Sequence, residues 1–280
     1  MRYTPIFDTC VFIDAVDDAI AWTKLCAARP RHGWPLSWVT CQQLLHGLSK
    51  ADGPGFLDSR EALNKACELC KGKILDPPIC FVRRRILQLS LAPFPSKKIR
   101  DFLRGVCASE TRLALDPLVN EIARSCETQC ESHIRSMRWN LETLNPKWEE
   151  TRAHGRSTLT EDQITEAKRS WDKQALKGVL AEAFLEGLDV SDRVSSAACL
   201  ARRLDAALEF EIRRFGDATF STSKFERARG EFLDGMQLHY LAWDSFCFVT
   251  SEKRLPNAVQ NSSQSNRVLN IDQYLATLND

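Results

Sequence analysis

The stretch YTPIFDTCVFIDA (residues 3–15) determines how the fold begins. Its apolar residues form the short run typical of a buried strand, and Asp8 interrupts that run. An aspartate at a strand end is commonly a turn or helix-cap residue, but it is also a residue type that divalent cations bind. We interpret the second aspartate, Asp14, as the cap of the following helix. Whether Asp8 is structural or functional therefore depends on which residues the rest of the chain brings to it.

The composition is that of a globular protein. Of 280 residues, 44% are hydrophobic and 27% charged, and Lys+Arg 38 nearly balance Asp+Glu 37. Because the net charge is close to zero, the protein as a whole does not attract nucleic acid, and any surface that binds it must be a local basic patch. No apolar run reaches the roughly 18 residues of a membrane span, and the start of the chain lacks the pattern of a signal peptide. We therefore expect a soluble, cytoplasmic protein with no membrane segment.

Eleven cysteines raise the question of a metal site. The pairs Cys67–Cys70 and Cys126–Cys130 each place two sulfurs on one helix face, and four thiolates would suit Zn²⁺. Neither pair lies in the glycine-rich turn of a zinc ribbon, so we favour buried packing cysteines and keep zinc as the alternative.

The two ends of the chain alternate between strand and helix patterns. We predict strands over residues 5–13 and 34–40, with helices over residues 18–28 and from residue 41 to near Gly47. At the other end, FCFVT (residues 246–250) and RVLN (residues 267–270) predict strands, and IDQYLATL predicts a last helix. This rhythm favours parallel strands that form one sheet from both ends of the chain.

The middle of the chain has a helical pattern without a strand signal. We predict a helix over residues 117–144 that stops before Pro146, a helix that begins with a capping box at Thr160 and Gln163, and a helix over residues 190–215. The predicted fold class is α/β, a parallel sheet flanked by helices with a large all-helical insertion. The predicted core parts are residues 1–50 and 217–280, and residues 51–216 form the insertion.

Polar residues fall where parallel strands of this kind bind ligands, at their carboxyl ends. Asp8 ends the first strand, Thr250 and Glu252 end the strand before last, Asp234 lies on the helix before it, and Gln43 opens the helix after the second strand. These are three carboxylates and an amide without an obvious basic partner. Their mutual repulsion would be relieved by a hard divalent cation such as Mg²⁺ or Mn²⁺.

Three segments resemble the PIN-domain nuclease family in a long form with a helical insertion: FDTCVFID, LSWVTCQQLLHG and DGMQLHYLAWDSFCFVTSEKRL. They follow the family's order of a strand ending in Asp-Ser/Thr, a Ser/Thr strand before Glu-Leu-x-x-Gly, a helix with Asp, and a strand ending in Thr-x-Asp. The resemblance implies a five-stranded parallel sheet and a metal-dependent endoribonuclease. It implies that Asp8, Asp234 and Glu252 hold one or two Mg²⁺ or Mn²⁺ ions, that Thr250 orients a carboxylate or water, and that Gln43 completes the polar ring.

Two residues depart from the family pattern. Gln43 stands where the family has glutamate, which removes one negative charge, and Glu252 stands where it has aspartate, which adds a methylene. The alternative to a nuclease is therefore a catalytically degenerate PIN-like module that binds RNA or protein. The expected partner is single-stranded or structured RNA, and a homodimer and a protein partner on the helical insertion stay open.

The remaining polar residues have less specific interpretations. We expect His239 to pack in the core rather than to take part in catalysis, and Asp244 to be a cap or turn residue before the following strand. The basic clusters at residues 83–85 and at Lys97, Lys98 and Arg100 are solvated helix faces, or phosphate-holding groups if they lie near the metal site.

Overall fold

The protein is a mixed α/β structure with a small parallel sheet flanked by helices. The computed structural model describes residues 3–71, 73–111, 115–144 and 148–278. Its strands are β1 (Thr4–Phe7), β2 (Pro35–Leu36), β3 (Lys73–Ile74), β4 (Phe246–Thr250) and β5 (Val268–Asn270).

Helices surround these strands throughout the described part of the chain. In the first half they are α1 (Thr9–Asp17), α2 (Ala19–Ala28), α3 (Trp38–Lys50), α4 (Pro54–Cys70), α5 (Pro78–Arg85), α6 (Ser96–Cys107) and α7 (Pro117–Leu144). In the second half they are α8 (Trp148–His154), α9 (Glu161–Arg169), α10 (Lys173–Phe184), α11 (Arg193–Arg203), α12 (Asp205–Phe220), α13 (Thr222–Leu238), α14 (Arg254–Ala258) and α15 (Ile271–Thr277). Short 3-10 turns cover His239–Ala242 and Ser265–Arg267.

The strands form two parallel groups. β4 lies at the centre of a three-stranded sheet, with β1 on one side and β5 on the other, and β2 pairs with β3. The single five-stranded parallel sheet implied by the family resemblance does not form among the described residues, which give a three-stranded sheet and a separate two-stranded one. The central sheet joins both ends of the chain, as the sequence predicted.

Two strands are shorter than predicted. In each apolar run, a polar side chain caps a helix that begins inside the predicted strand. β1 ends at Phe7, since the Asp8 carboxylate accepts a hydrogen bond from Thr9 N and begins α1. β2 covers only Pro35–Leu36, since Ser37 Oγ accepts from Thr40 N and begins α3.

The prediction that Asp14 caps the next helix is also wrong. Asp14 lies within α1, and its carbonyl accepts a hydrogen bond from Asp18 N. The cap of α2 is Asp18, whose carboxylate accepts from the backbone N–H groups of Ile20 and Ala21. Asp18 follows Asp14 by four positions, about one helical turn, and it is Asp18 that lies next to the free backbone amides at the start of α2.

The middle of the chain is not entirely helical. β3 lies inside the predicted insertion, where it pairs with β2, so the all-helical expectation is wrong. The helix predicted over residues 190–215 is two helices, α11 and α12, and Gln264 Oε1 accepts from Ala206 N at 2.9 Å in the first turn of α12. The predicted helix α7 and the capping box of Thr160 and Gln163 are confirmed, whereas Pro146 lies outside the described residues.

Successive residues of the central strands point into opposite hydrophobic clusters, as the two-residue period of a strand requires. Ile6 and Phe248 pack with helices that include α5, α10, α11 and α12. Phe7 and Val249 pack on the other face with helices that include α1, α3, α4 and α15. The sheet is therefore covered on both faces by apolar side chains.

The paired cysteines lie in the hydrophobic clusters. Cys126 and Cys130 pack with Val39 and Leu233, and Cys70 is buried with the cluster around Phe7. Within the ranges that the structure describes, no helix is both long and apolar enough to cross a membrane.

Candidate functional site

Asp8 lies at the carboxyl edge of the sheet, where β1 passes into α1. Its N–H donates to Val249 O at 2.8 Å, and the residue is 5% exposed. Asp8 Oδ1 accepts from Thr9 N at 2.7 Å and from Gln237 Nε2 at 3.0 Å, and Oδ2 accepts from Thr250 Oγ1 at 2.8 Å and from Cys10 Sγ at 3.0 Å. These four donors occupy about all the lone-pair positions of a carboxylate.

Thr250 joins this carboxylate to the end of β4. The residue is completely buried, and its hydroxyl donates to Asp8 and accepts from Glu252 N at 3.1 Å. The parallel pairing of β1 with β4 brings the two residues together across the whole length of the sequence. Thr250 therefore fixes both the Asp8 side chain and the backbone that leads to Glu252.

Gln237 completes the surroundings of Asp8. Its Nε2 lies 3.0 Å from Asp8 Oδ1 and 3.3 Å from Gln43 Oε1, and its Oε1 lies 2.9 Å from Thr40 Oγ1. Gln237 was not among the site residues predicted from the sequence. Its position three residues after Asp234, on the same helix face, was the available signal.

Gln43 lies beside this network on α3. Its Oε1 accepts from Thr9 Oγ1 at 2.5 Å, in addition to its contact with Gln237. Gln43 therefore lies next to Gln237, which binds Asp8, and its amide oxygen accepts hydrogen bonds from both Thr9 and Gln237.

Asp234 lies near the same carboxylates. Burial, together with the negative charges of Asp8 and Glu252, raises the pKa of Asp234 to about 8, and the charge of Arg254 acts in the opposite direction. The side chain is mostly buried on α13, whereas the Glu252 side chain is 46% exposed. The three carboxylates predicted from the sequence therefore interact electrostatically at one edge of the sheet.

Arg254 is the basic partner that the sequence analysis did not find. At the start of α14, its guanidinium lies 2.6 Å from Glu231, 3.2 Å from Glu252 and 3.6 Å from Asp234. The expectation of carboxylates without a basic partner is therefore wrong. Arg254 lies two residues after Glu252, so the same loop after β4 places both side chains at this edge of the sheet.

Cys10 is a second residue that the sequence analysis did not select. Burial raises the pKa of its thiol to about 12, and the charge of Asp8 acts in the same direction. The protonated thiol donates to Asp8 Oδ2, while Ser251 N donates to Cys10 Sγ at 3.3 Å. Cys10 therefore links Asp8 to the loop that carries Glu252.

Other candidate residues lie elsewhere. His239 stacks on Phe184, and its Nδ1 lies 3.1 Å from the carbonyls of Gly235 and Met236. Asp244 lies before β4 and pairs with Arg203. Of the basic clusters, Arg84 pairs with Asp76, Arg85 lies over the ring of Trp243 just before β4, and α6, which carries Lys97, Lys98 and Arg100, packs on α4 and β3.

The donor types at the carboxyl edge suit a hard divalent cation, because carboxylate and amide oxygens converge there and carboxylates outnumber the one guanidinium. As the side chains stand, no group of three or more His, Cys, Asp or Glu among the described residues is arranged to hold a metal ion. The donor types are those that a divalent ion prefers, but binding one would require Glu252 to turn away from Arg254 and Asp8 to give up at least one of its four protein donors.

The fold and this edge define an α/β protein whose parallel sheet carries an acidic, amide-rich site where its strands end. Comparison with known proteins finds no matching family model, no matching curated protein and no matching solved structure.

Proposed function

We propose that the protein is a PIN-like, metal-dependent endoribonuclease that uses Mg²⁺ or Mn²⁺ at the carboxyl edge of the sheet. The observation that carries the proposal is the convergence of Asp8, Asp234 and Glu252 at this edge, from three separate segments of the chain. The single guanidinium of Arg254 does not balance this many carboxyl groups, so their convergence favours metal binding over a purely structural role.

The chain's own residues would hold and orient the parts of this site. Thr250 and Gln237 donate to opposite oxygens of Asp8 and so fix the plane of its carboxylate. Gln43 supplies a neutral oxygen beside it. When bound, a divalent ion activates water and offsets the charge that develops on a scissile phosphate.

The test is cleavage of fluorescent single-stranded and hairpin RNA with Mn²⁺ or with EDTA. We expect Mn²⁺-dependent cleavage that falls by roughly 100-fold or more in Asp8→Asn and Asp234→Asn, because each removes a metal-binding carboxylate. Asp189→Asn, on an exposed loop, is the matched control and should cleave at the wild-type rate. Cleavage that survives equally in all three variants would contradict the proposal.

A second candidate function is RNA binding without cleavage, in a PIN-like module whose site no longer holds metal. Two observations favour it: Arg254 contacts three carboxylates, and four donors from the protein already surround the Asp8 carboxylate. In this case folded protein binds RNA equally well in EDTA and in Mn²⁺, and Mn²⁺ does not shift its melting temperature.

Arg254→Ala distinguishes the two functions further. If the carboxylates bind metal, removal of the competing guanidinium should increase the Mn²⁺-dependent rise in melting temperature, because ions that bind only the folded state stabilise it. Lys253→Ala, its exposed neighbour, is the control. An unchanged response to Mn²⁺ in Arg254→Ala would support the module that lacks metal.

A further inference from the structure

A cleft opens at the edge of the sheet opposite to Asp8. Tyr3 precedes β1, Ser245 precedes β4 and Arg267 precedes β5, and all three line the cleft. Because the strands are parallel, these amino ends lie together, about 15 Å from the carboxyl ends at roughly 3.3 Å per residue. The cleft has a volume of about 640 Å³ and is separate from the acidic site.

Three arginines and one carboxylate line this cleft: Arg202, Arg203, Arg267 and Asp244. Arg203 pairs with Asp244, which raises the pKa of the Arg203 guanidinium and neutralises one charge. Arg202 is exposed and forms no ion pair with any residue that the structure describes. The lining therefore has an excess of positive charge.

Arg267 is the arginine that makes this cleft unusual, because its charge is buried against neutral groups. It is 7% exposed, and its guanidinium donates to the carbonyls of Leu241 at 2.8 Å, Trp243 at 2.9 Å and Phe246 at 3.1 Å. Burial lowers the pKa of Arg267, with Asp244 acting in the opposite direction, and an arginine stays charged in such a place. A buried cation with carbonyl partners leaves a positive potential at the cleft wall.

The rest of the lining supplies neutral hydrogen-bonding groups. Ser245, Ser263 and Asn266 line the cleft together with the arginines. A further carboxylate, Asp205, accepts from Ser263 N at 2.6 Å and is paired with Lys177 at 2.5 Å. Lys177 therefore balances the charge of Asp205, which lines a neighbouring pocket together with Arg202.

We propose that this amino-edge cleft binds a phosphate group carried by a nucleotide, either a free mononucleotide or the 5′-terminal phosphate of RNA. Guanidinium groups bind phosphate oxygens in pairs of parallel hydrogen bonds, and hydroxyl and amide groups complete such sites. A volume of this size accommodates a ligand as large as a mononucleotide. The proposal does not depend on the nuclease function, because no residue of the cleft belongs to the acidic site.

The experiment is calorimetric titration of the full chain in EDTA, which silences any metal chemistry, with AMP, adenosine, and an RNA oligomer carrying either a 5′-phosphate or a 5′-hydroxyl. We expect AMP to bind and adenosine not to bind. Arg202→Ala should weaken AMP binding about tenfold, the loss expected for one charge-assisted hydrogen bond. Asp244→Asn should strengthen it several-fold, because it releases Arg203 and removes a repelling charge.

Arg31→Ala, at an exposed arginine away from the cleft, is the matched control and should bind as the wild type does. The melting temperature of each variant verifies that it is folded. Tighter binding of the phosphorylated RNA than of AMP would identify the RNA terminus as the source of the phosphate, and the reverse order would identify a free nucleotide. Equal binding by Arg202→Ala and Arg31→Ala, equal binding of AMP and adenosine, or no binding at all would overturn the proposal.

Discussion

Asp8 has two roles that a single residue can combine because a carboxylate has several lone pairs. Its Oδ1 caps α1 through Thr9 N, and the same side chain is held by Gln237 and Thr250 from the other end of the chain. The two readings of Asp8 in the sequence, helix cap and site residue, are therefore compatible. The cap fixes the start of the helix, and the remaining donors fix the direction in which the carboxylate points.

Gln237→Leu tests how much this arrangement depends on one buried amide. The change keeps the approximate size of the side chain but removes one of the four donors to the buried Asp8 carboxylate and one partner of Thr40, whose hydroxyl keeps its bond to Phe7 O. We expect the free energy of unfolding to fall by about 2 kcal/mol, because buried hydrogen bonds are lost although each partner keeps others. Urea denaturation measures this change.

Gln174→Leu is the control for that substitution, because Gln174 is exposed on α10. It should change stability by no more than about 0.5 kcal/mol. If the two leucine variants were equally stable, the hydrogen bonds of Gln237 would not contribute to folding.

At the scale of elements, α10 and α12 are joined by an ion cluster that the sequence did not indicate. Lys177 is 8% exposed, and its Nζ lies 2.5 Å from Asp205 and 3.1 Å from Glu209. Burial by itself raises the pKa of both carboxyls, but hydrogen bonds from lysine outweigh it, and both pKa values lie below their usual range. The cluster thus stabilises the fold while the carboxylates are ionised.

Lys177→Met should lower the free energy of unfolding by about 3–5 kcal/mol at pH 7, because it leaves two carboxylates without their shared cation. Because the folded-state pKa values are depressed, the stabilisation by the pair is present above the unfolded-state pKa of about 4 and is lost as the pH falls through the folded-state values. The difference in the free energy of unfolding between wild type and variant should therefore narrow between pH 4.5 and pH 3.5, and narrow further at pH 2.5, in urea titrations.

Lys173→Met is the matched control on the same helix. Lys173 pairs with Glu209 at 2.9 Å but is 49% exposed, so solvent screens the pair and its loss should cost less than about 1 kcal/mol. If Lys173→Met lowered the free energy of unfolding as much as Lys177→Met does, burial would not decide the strength of these ion pairs.

At the scale of the whole molecule, the C-terminal helix closes a core built by the N-terminal residues. Tyr274 of α15 is 1% exposed, and its ring centroid lies 5.7 Å from that of Phe7 and 6.2 Å from that of Trp34. β5, directly before this helix, pairs with β4, and β4 pairs with β1. The two ends of the chain therefore stabilise one another.

Tyr274→Ala should lower the free energy of unfolding by about 3–5 kcal/mol, since it leaves a cavity among aromatic rings. Tyr274→Phe keeps the ring and should cost much less. Thermal and urea unfolding of the two variants measure the difference. If both variants lowered the free energy of unfolding by a similar amount, the effect would come from the hydroxyl group. If neither variant lowered it, α15 would not close this core.

Much of the secondary structure could be predicted from local patterns. Apolar runs identified β1, β4 and β5, and the spacing of apolar residues identified α7. Such patterns are local, because a strand or helix must present its own apolar residues to the core. The prediction that the three carboxylates are neighbours rested on the rule that parallel strands end at one edge, and Asp234 and Glu252 do interact there.

Only the tertiary structure decided which groups balance the charges of the three carboxylates and where each strand and helix ends. Asp8 and Ser37 each end a strand by capping a helix, and an apolar run alone does not show which side chain will reach a free amide. Gln237, Cys10 and Arg254 reach the site from positions that the helix and loop geometry sets, and Arg202, Arg203 and Arg267 form a cleft from residues that no motif connects. The physical reason is that electrostatic and hydrogen-bond energies depend on distances of a few ångströms, and the folded chain sets those distances between residues far apart in sequence.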